Sequence, residues 1–361
     1  MKRGKFLSFL LVAMLVLLAG CGSGEKKEEG TTSKAQAPSS SQGSGEEGKN
    51  EESKEKKEVT KLTFVLDYTP NTNHTGIYVA QKLGYFKEEG LDVTIMQPPE
   101  DGAPALVASG NAQFGVDYQD TIGPAFAKEN PLPVTNIAAL IQHNTSGLIS
   151  LKENPVSRPK DLEGKTYASW GMPIEQAMVR DVIKKDGGDP EKLKIITANA
   201  ASIFSMKGSD YQTIWVFYAW DGIAAKVKKI DSVYFPFRDF NPAFDYYTPT
   251  LIANNAYLKD HPDIAKAFLR AVQKGYEYAI KNPEKAADIL LEQAPELDRD
   301  VVVESQKYLA DKYIDDAPYW GQIDSKRWNR FYQWLFREKL IEKEIPQDFG
   351  FTNEYLPGFS K

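Results

Sequence analysis

Acidic and aromatic side chains recur just beyond the predicted strands of this 361-residue chain. Carboxylates accept hydrogen bonds from amines, and aromatic faces stack on flat rings, so this set suits a small planar molecule that carries an amine. The candidate residues are Asp67, Tyr68 and Asn73 after the first strand, Asp117 and Tyr118 after the third, and Trp170, Glu175 and Tyr218 in the second half of the chain.

The three acids each have a competing structural role. Asp67 and Asp117 could cap the helix that follows each strand. Glu175 could do no more than favour a helix N-terminus through the helix dipole. Contact with a ligand and a local structural role therefore both remain open for these residues.

The aromatic candidates and His74 also divide between contact with a ligand and a structural role. Trp170 stands beside a glycine in a predicted loop, which is unlike a core tryptophan and favours stacking on a ligand. Tyr218 could pack internally while Trp215 and Phe217 face the ligand instead. His74 favours a structural role at the start of a helix.

Short apolar runs alternate with amphipathic helical patterns, which predicts an α/β fold with mainly parallel sheets. The predicted strands are 62–66, 91–96, 112–116, 134–141, 148–151, 166–168, 194–197, 213–217, 232–235 and 250–253. The predicted helices are 76–86, 104–109, 120–128, 174–185, 262–280, 283–291, 299–313 and 326–339.

The pattern restarts after Gly147 and becomes wholly helical beyond Ala253. We therefore expect one lobe from residues 59–142 and 254–361, a second from 143–253, and two crossing strands between them. The C-terminal helices should return to the first lobe. Ligands bind beyond the carboxyl ends of strands in open α/β sheets, which would bring the candidate residues to a cleft between the lobes.

The N-terminus carries basic residues and then an apolar run from Phe6 to Ala19, too short to cross roughly 30 Å of hydrocarbon. This pattern predicts a signal peptide over residues 1–20. Leu18–Cys21 resembles the lipobox of bacterial lipoproteins, in which the cysteine is lipidated and becomes the new N-terminus. An ordinary secretory signal with a chance cysteine is the alternative. Residues 22–58 are almost wholly polar, which predicts a flexible tether.

Composition excludes several kinds of chemistry. Cys21 is the only cysteine, so disulfides, cysteine–metal sites and cysteine nucleophiles are not expected. His74, His143 and His261 lie far apart and indicate no metal cluster. A net charge of −6 without a basic stripe argues against nucleic acid as a partner.

A family resemblance rests on the segment from Asp67 to Ala80 and on Gly84–Val93. These segments resemble the opening of the receptors that bind nitrate, sulfonates or pyrimidine precursors for ABC importers. Ala105–Gly110 and Phe114–Val116 match the same family. The resemblance implies a bilobed periplasmic-binding-protein-like fold of type II and no cofactor. It also implies a monomer, held at the outer face of the cytoplasmic membrane, that docks on permease and ATPase subunits.

Within this family the chain is most similar to receptors for formylaminopyrimidine, a breakdown product of thiamine. It also resembles fungal enzymes that make the hydroxymethylpyrimidine phosphate precursor of thiamine, and fold alone does not separate the two. In those enzymes the segment matching 115–121 carries a lysine that binds pyridoxal phosphate and a histidine, whereas this chain has neither and holds Asp117 and Thr121. A cysteine-rich motif of the enzymes falls near 245–251, where this chain has no cysteine. A receptor without catalytic residues is therefore expected.

The residue types also narrow the range of solutes that could bind. Nitrate or a sulfonate calls for Arg, Lys or several free backbone donors, and carboxylates repel both. An aminopyrimidine fits the aromatic and acidic set, so formylaminopyrimidine or a related thiamine precursor is the expected ligand. Alternatives are another small solute (a sulfonate, a nucleobase or a riboflavin-like ring), a pyrimidine synthase or thiaminase, a surface adhesin, and a sensor for a membrane kinase.

Overall fold

The chain builds two five-stranded sheets in the computed structural model, which describes residues 59–360. The strands are β1 Thr60–Val65, β2 Leu91–Met96, β3 Phe114–Asp117, β4 Val134–Ala139, β5 Ser146–Leu151, β6 Thr166–Ser169, β7 Lys194–Thr197, β8 Thr213–Phe217, β9 Ser232–Pro236 and β10 Thr250–Asn254. The helices are α1 Thr75–Lys82, α2 Tyr85–Glu88, α3 Gly102–Ala108, α4 Gln119–Phe126, α5 Pro173–Lys185, α6 Ile223–Val227, α7 Asn255–Asp260, α8 Pro262–Lys281, α9 Pro283–Gln293, α10 Arg299–Leu309 and α11 Ser325–Arg337.

The two sheets share one plan. The first lobe has the strand order β2-β1-β3-β10-β4, and the second has β7-β6-β8-β5-β9. In each sheet four strands run in one direction, and the fifth, β10 or β5, runs antiparallel between two of them. The expected α/β architecture with mainly parallel sheets is confirmed.

The chain passes between the sheets twice, through residues 140–145 and again through residues 237–249. The first strand after each passage, β5 or β10, is the antiparallel member of its sheet. β10 pairs over its whole length with β3 and β4. Residues 250–253 therefore lie in the sheet of the first lobe, although the lobe boundary predicted from the sequence placed them in the second lobe. Pairing between distant strands decides this, and local periodicity does not contain that information.

The C-terminal helices return to the first lobe, where α8 packs closely on α1. The contact is possible because two glycines face one another: a Cβ atom at Gly275 would lie 1.9 Å from the carbonyl oxygen of Gly76. The helix predicted over 76–86 is two helices, because Gly84 adopts a left-handed backbone (φ 80°) between them. Among residues 59–360, no helix combines the length and the apolar character needed to cross a bilayer.

Candidate functional site

A cleft of about 460 Å³ lies between the two lobes. Loops beyond the carboxyl ends of β1, β3, β6, β7 and β8 form it, and its size falls in the range of roughly 300–1,000 Å³ that is usual for small-molecule sites. The first lobe and the crossing segments contribute Tyr68, Thr69, Asn71, Asn73, Tyr118, Ile141, Thr145, Thr248 and Pro249. The second lobe contributes Trp170, Asn199, Ala201, Ser202, Ile203, Phe204, Ile214, Trp215, Val216, Phe217, Ala219, Trp220 and Asp221.

Four of the residues predicted from sequence line this cleft, namely Tyr68, Asn73, Tyr118 and Trp170. Tyr68 and Trp170 are 65% and 41% exposed, so their rings offer apolar surface to an incoming molecule. The ring centroids of Trp170 and Trp215 are 5.8 Å apart. Tyr118 lies nearly parallel to Phe217 of the opposite lobe, with centroids 6.3 Å apart. The structure thus assembles the aromatic part of the site from both lobes.

Glu175 does not line the cleft, because its carboxylate closes the turn between β6 and α5. It is buried and accepts hydrogen bonds from the backbone N–H groups of Trp170 (3.0 Å) and Met172 (3.2 Å). The hydroxyls of Ser169 (2.9 Å) and Tyr167 also donate to it. Glu175 therefore has the helix-start role that was the alternative to ligand contact, and it holds the loop that presents Trp170.

Asp67 also lies behind the lining. Its side chain is 3% exposed, and its Oδ1 is 2.6 Å from Nε2 of the buried His74, while the Tyr118 hydroxyl donates to its other oxygen. Burial by itself would raise the pKa of Asp67, but the charge of His74 and the two side-chain hydrogen bonds together lower it below its ordinary value. Asp67 thus orients Tyr118, which is the residue that reaches the cleft.

Asp117 is buried at the end of β3 and is likewise outside the cleft lining. Its Oδ1 accepts a hydrogen bond from the Thr121 hydroxyl at 2.8 Å. Its Oδ2 is buried and finds no hydrogen-bond partner among the residues that the structure describes. Burial raises the pKa of Asp117 to about 7, so this acid is partly protonated at neutral pH.

Tyr218 packs away from the cleft. Its ring lies 4.6 Å from that of Tyr234 and 5.4 Å from that of Tyr308, measured between centroids. Trp215 and Phe217 line the cleft in its place. This is the alternative arrangement that the sequence left open for the run of aromatic residues after β8.

Asp221 is the acid that the structure adds to the site. It stands in the π-helical turn Tyr218–Gly222 after β8 and lines the cleft. Its Oδ2 accepts a hydrogen bond from the Phe217 N–H at 3.3 Å, and burial raises the pKa of Asp221 to about 6. A carboxylate can accept about four hydrogen bonds, so capacity remains for a ligand. The rule that sites follow strand ends already includes Asp221 in the run 215–221 at the end of β8, although Tyr218 was the residue chosen from that run. The same rule applied to β7 would have predicted the lining segment 199–204.

The charge of the cleft is distinctive. Among residues 59–360, its lining contains one carboxylate, that of Asp221, and no lysine, arginine or histidine. The indole Nε1 of Trp215 is buried there and has no hydrogen-bond partner within residues 59–360. The lining therefore combines aromatic surface, amide and hydroxyl groups and a single negative charge.

A separate group of charged residues, outside the cleft lining, joins the two crossing segments. Nδ1 of His143 lies 2.7 Å from Oδ2 of Asp245, and Nε2 lies 3.1 Å from Oδ1 of Asp316. His143, Asp315 and Asp316 bring possible metal-ligand atoms within 4.8 Å of one another, a grouping that the sequence did not predict. The guanidinium of Arg327 already supplies positive charge here, 3.6 Å from Asp245 and 3.5 Å from the ring of His143. We interpret the group as an ion-pair network that ties the crossings together.

Two mixed sheets with a cleft between them define the periplasmic-binding-protein fold. The structure is similar to that of the alkanesulfonate-binding protein of Xanthomonas axonopodis pv. citri, solved with MOPS bound. The match covers 82% of this chain and 99% of that protein, with a TM-score of 0.62 and 11% sequence identity. At that identity the likeness shows the fold alone.

Residues 71–286 match the family model described as NMT1/THI5 like, and the chain belongs to this family. It is 30% identical over 302 residues to the formylaminopyrimidine-binding protein of Halalkalibacterium halodurans, covering 81% of this chain and 89% of the relative. It is 26% identical over 321 residues to a 4-amino-5-hydroxymethyl-2-methylpyrimidine phosphate synthase of Saccharomyces cerevisiae, covering 82% of this chain and 88% of the relative. The relatives thus include both a binding protein and an enzyme.

Proposed function

We propose that this chain is an extracytoplasmic solute receptor that binds a pyrimidine precursor of thiamine, such as formylaminopyrimidine, and delivers it to an ABC permease. The observation that carries the proposal is the lining of the cleft, which joins aromatic rings from both lobes to the carboxylate of Asp221 and, in the part of the chain that the structure describes, holds no cationic side chain. The 30% identity to a formylaminopyrimidine-binding protein supports the same ligand class.

An aminopyrimidine matches these groups one by one. Its flat ring stacks on aromatic side chains, an interaction worth about 1–3 kcal/mol per base in nucleic-acid complexes. Its exocyclic amine donates to a carboxylate, as the amine of cytosine does to Asp or Glu. Trp170, Tyr118 and their neighbours supply the rings, and Asp221 supplies the acceptor.

The same lining disfavours the other ligand classes. Nitrate and sulfonates are anions that need cationic or clustered N–H donors, and the charge of Asp221 would repel them. Pyridoxal phosphate needs a lysine amine to form an imine, and no lysine of residues 59–360 lines the cleft. Asp117, which stands where the resemblance places that lysine, is bonded to Thr121 behind the cleft. These features support a receptor over a synthase.

Binding in an interlobe cleft also explains how a receptor would report that it is loaded. A ligand that contacts both lobes binds the closed arrangement better than the open one and therefore shifts the population toward closure. The permease and ATPase subunits that we propose as partners would then distinguish loaded from empty receptor by shape. We propose a monomer, with no cofactor and no catalytic residue.

Calorimetric titration of the purified chain with formylaminopyrimidine, hydroxymethylpyrimidine, thiamine, taurine and pyridoxal phosphate tests the proposal. We expect a pyrimidine to bind most tightly and Trp170→Ala to weaken that binding roughly ten- to a hundredfold through lost stacking. Phe336→Ala is the matched control, because Phe336 is also 41% exposed but does not line the cleft. Tight binding of taurine, or an imine absorbance with pyridoxal phosphate, would contradict the assignment.

The membrane anchor is a second part of the proposal, and it concerns Cys21, outside the described residues. Lipidation of Cys21 would hold the receptor beside its permease through several acyl chains, which anchor firmly where one chain is marginal. We expect Cys21→Ser to release the protein to the medium or to leave an unprocessed precursor. Fractionation and mass spectrometry of the N-terminus check this, and a variant that is processed and membrane-bound like the parent would refute the anchor.

A further inference from the structure

A single buried hydroxyl, that of Ser305 in α10, bonds to a loop of each lobe. Ser305 is fully buried, and its Oγ lies 2.6 Å from Oγ1 of Thr72 in the first lobe. The same hydroxyl donates to the carbonyl oxygen of Ala219 in the second lobe at 2.5 Å. Because a hydroxyl has one proton, the hydrogen bond with Thr72 must run from Thr72 to Ser305. The three groups form a directed chain from one lobe to the other.

Both ends of this chain adjoin residues that line the cleft. Thr72 opens the 3-10 turn Thr72–His74, which contains the lining residue Asn73. Ala219 precedes Trp220 and Asp221 in the turn after β8, and all three line the cleft. A shift of either loop is therefore a shift of ligand-binding groups.

Further contacts of α10 and of the segment that follows it support this chain on both sides. On the side of the first lobe, the Tyr313 hydroxyl donates to the carbonyl oxygen of Thr72 at 2.6 Å. On the side of the second lobe, Tyr308 of α10 packs on Tyr218, with ring centroids 5.4 Å apart. An exposed ion pair between Lys228 and Asp298 adds a contact at the start of the same helix.

We propose that Ser305 is a positioning residue that holds the two ligand loops in the closed arrangement before any ligand binds, an inference that rests on the proposed function. Hydrogen bonds of the O–H···O type span about 2.5–3.0 Å between the two oxygens, so the hydroxyl reaches both partners only while the lobes stay together. Opening the cleft breaks at least one buried bond. The bridge thus raises the closed population of the empty receptor and with it the apparent affinity for the ligand.

The test compares Ser305→Ala and Thr72→Val with Ser150→Ala in the full chain. Ser150 is the matched control: it is equally buried and accepts a hydrogen bond from the Val156 N–H at 2.8 Å, but it lies within the second lobe and does not line the cleft. Spin labels at Lys87→Cys and Lys207→Cys, in a chain that also carries Cys21→Ser, report the distance between the lobes. Titration with formylaminopyrimidine reports affinity.

We expect Ser305→Ala, which removes the hydrogen bond between the lobes, to lengthen the distance between the labels in the ligand-free protein and to weaken pyrimidine binding roughly five- to tenfold. Thr72→Val removes only the bond that positions Ser305 from within the first lobe, and it should change both quantities in the same direction by a smaller amount. Saturating ligand should restore the parental distance, and Ser150→Ala should change neither quantity even where it lowers the melting temperature. If the bridge variants lower only the melting temperature, Ser305 serves the fold and the proposal fails. If Ser305→Ala does not fold, Thr72→Val decides. If the parent binds no pyrimidine, the proposed function fails while the ligand-free distances still decide the bridge.

Discussion

Replacing Asp221 with asparagine should weaken binding of an aminopyrimidine roughly ten- to a hundredfold, because Asp221 is the one carboxylate that the described residues contribute to the cleft lining. A hydrogen bond to a charged group contributes about 1.5–3 kcal/mol, and the substitution removes the charge. Asparagine keeps an oxygen for the Phe217 N–H, which the aspartate accepts at 3.3 Å. The fold should therefore tolerate the change, and calorimetric titration should show the loss in affinity alone.

The pH dependence of binding gives an independent check. Burial raises the pKa of Asp221 to about 6, so the carboxylate is charged at pH 8 and loses its charge as the pH falls through 6. The advantage of the parent over Asp221→Asn should therefore be complete at pH 8 and shrink toward pH 5. Asp186→Asn, on the surface of the second lobe, is the control and should leave affinity unchanged. Equal affinity of parent and Asp221→Asn at pH 8 would remove Asp221 from the site.

The strands were predictable because each is a short apolar run between polar turns. β2, β7 and β8 begin and end at the residues expected from the sequence. The neighbours of each strand were not predictable in the same way. β10 looks locally like any other strand, and only its pairing with β3 and β4 shows that it belongs to the first lobe.

The aromatic residues of the site were easier to predict than the acids, for a physical reason. A large ring such as that of Trp170 or Tyr68, placed in a loop after a strand, has little local structure to satisfy and can remain available to a ligand. A carboxylate at such a position is attracted to nearby backbone N–H groups and hydroxyls. Glu175 binds the turn before α5, and Asp67 binds His74 and Tyr118, so neither lines the cleft. Sequence spacing does not distinguish an acid that contacts a ligand from an acid that bonds to nearby groups of the protein.

Asp117, like Glu175 and Asp67, bonds to a nearby group and does not line the cleft. It leads to the second large expected effect, which is on the free energy of unfolding. Its pKa is raised to about 7 by burial, and its Oδ2 has no partner in the described part of the chain. The folded protein therefore keeps this proton up to about pH 7, whereas an unfolded chain releases it near the ordinary value of 3.8. Between these limits the folded state binds more protons, so the contribution of Asp117 to the free energy of unfolding falls as the pH rises.

We expect Asp117→Asn to match the parent in stability near pH 4 and to exceed it at pH 8 by a few kcal/mol, since each pH unit of the window corresponds to about 1.4 kcal/mol. The amide is neutral at every pH, and its oxygen can still accept the Thr121 hydroxyl bond that the aspartate accepts at 2.8 Å. Urea unfolding at several pH values between 4 and 8 measures the difference. Asp186→Asn provides a control of opposite sign, because the hydrogen bond from Arg158 lowers the pKa of Asp186 and the parent should be the more stable at neutral pH. A difference between Asp117→Asn and the parent that stays constant from pH 4 to pH 8 would show that Asp117 does not hold its proton in the folded protein.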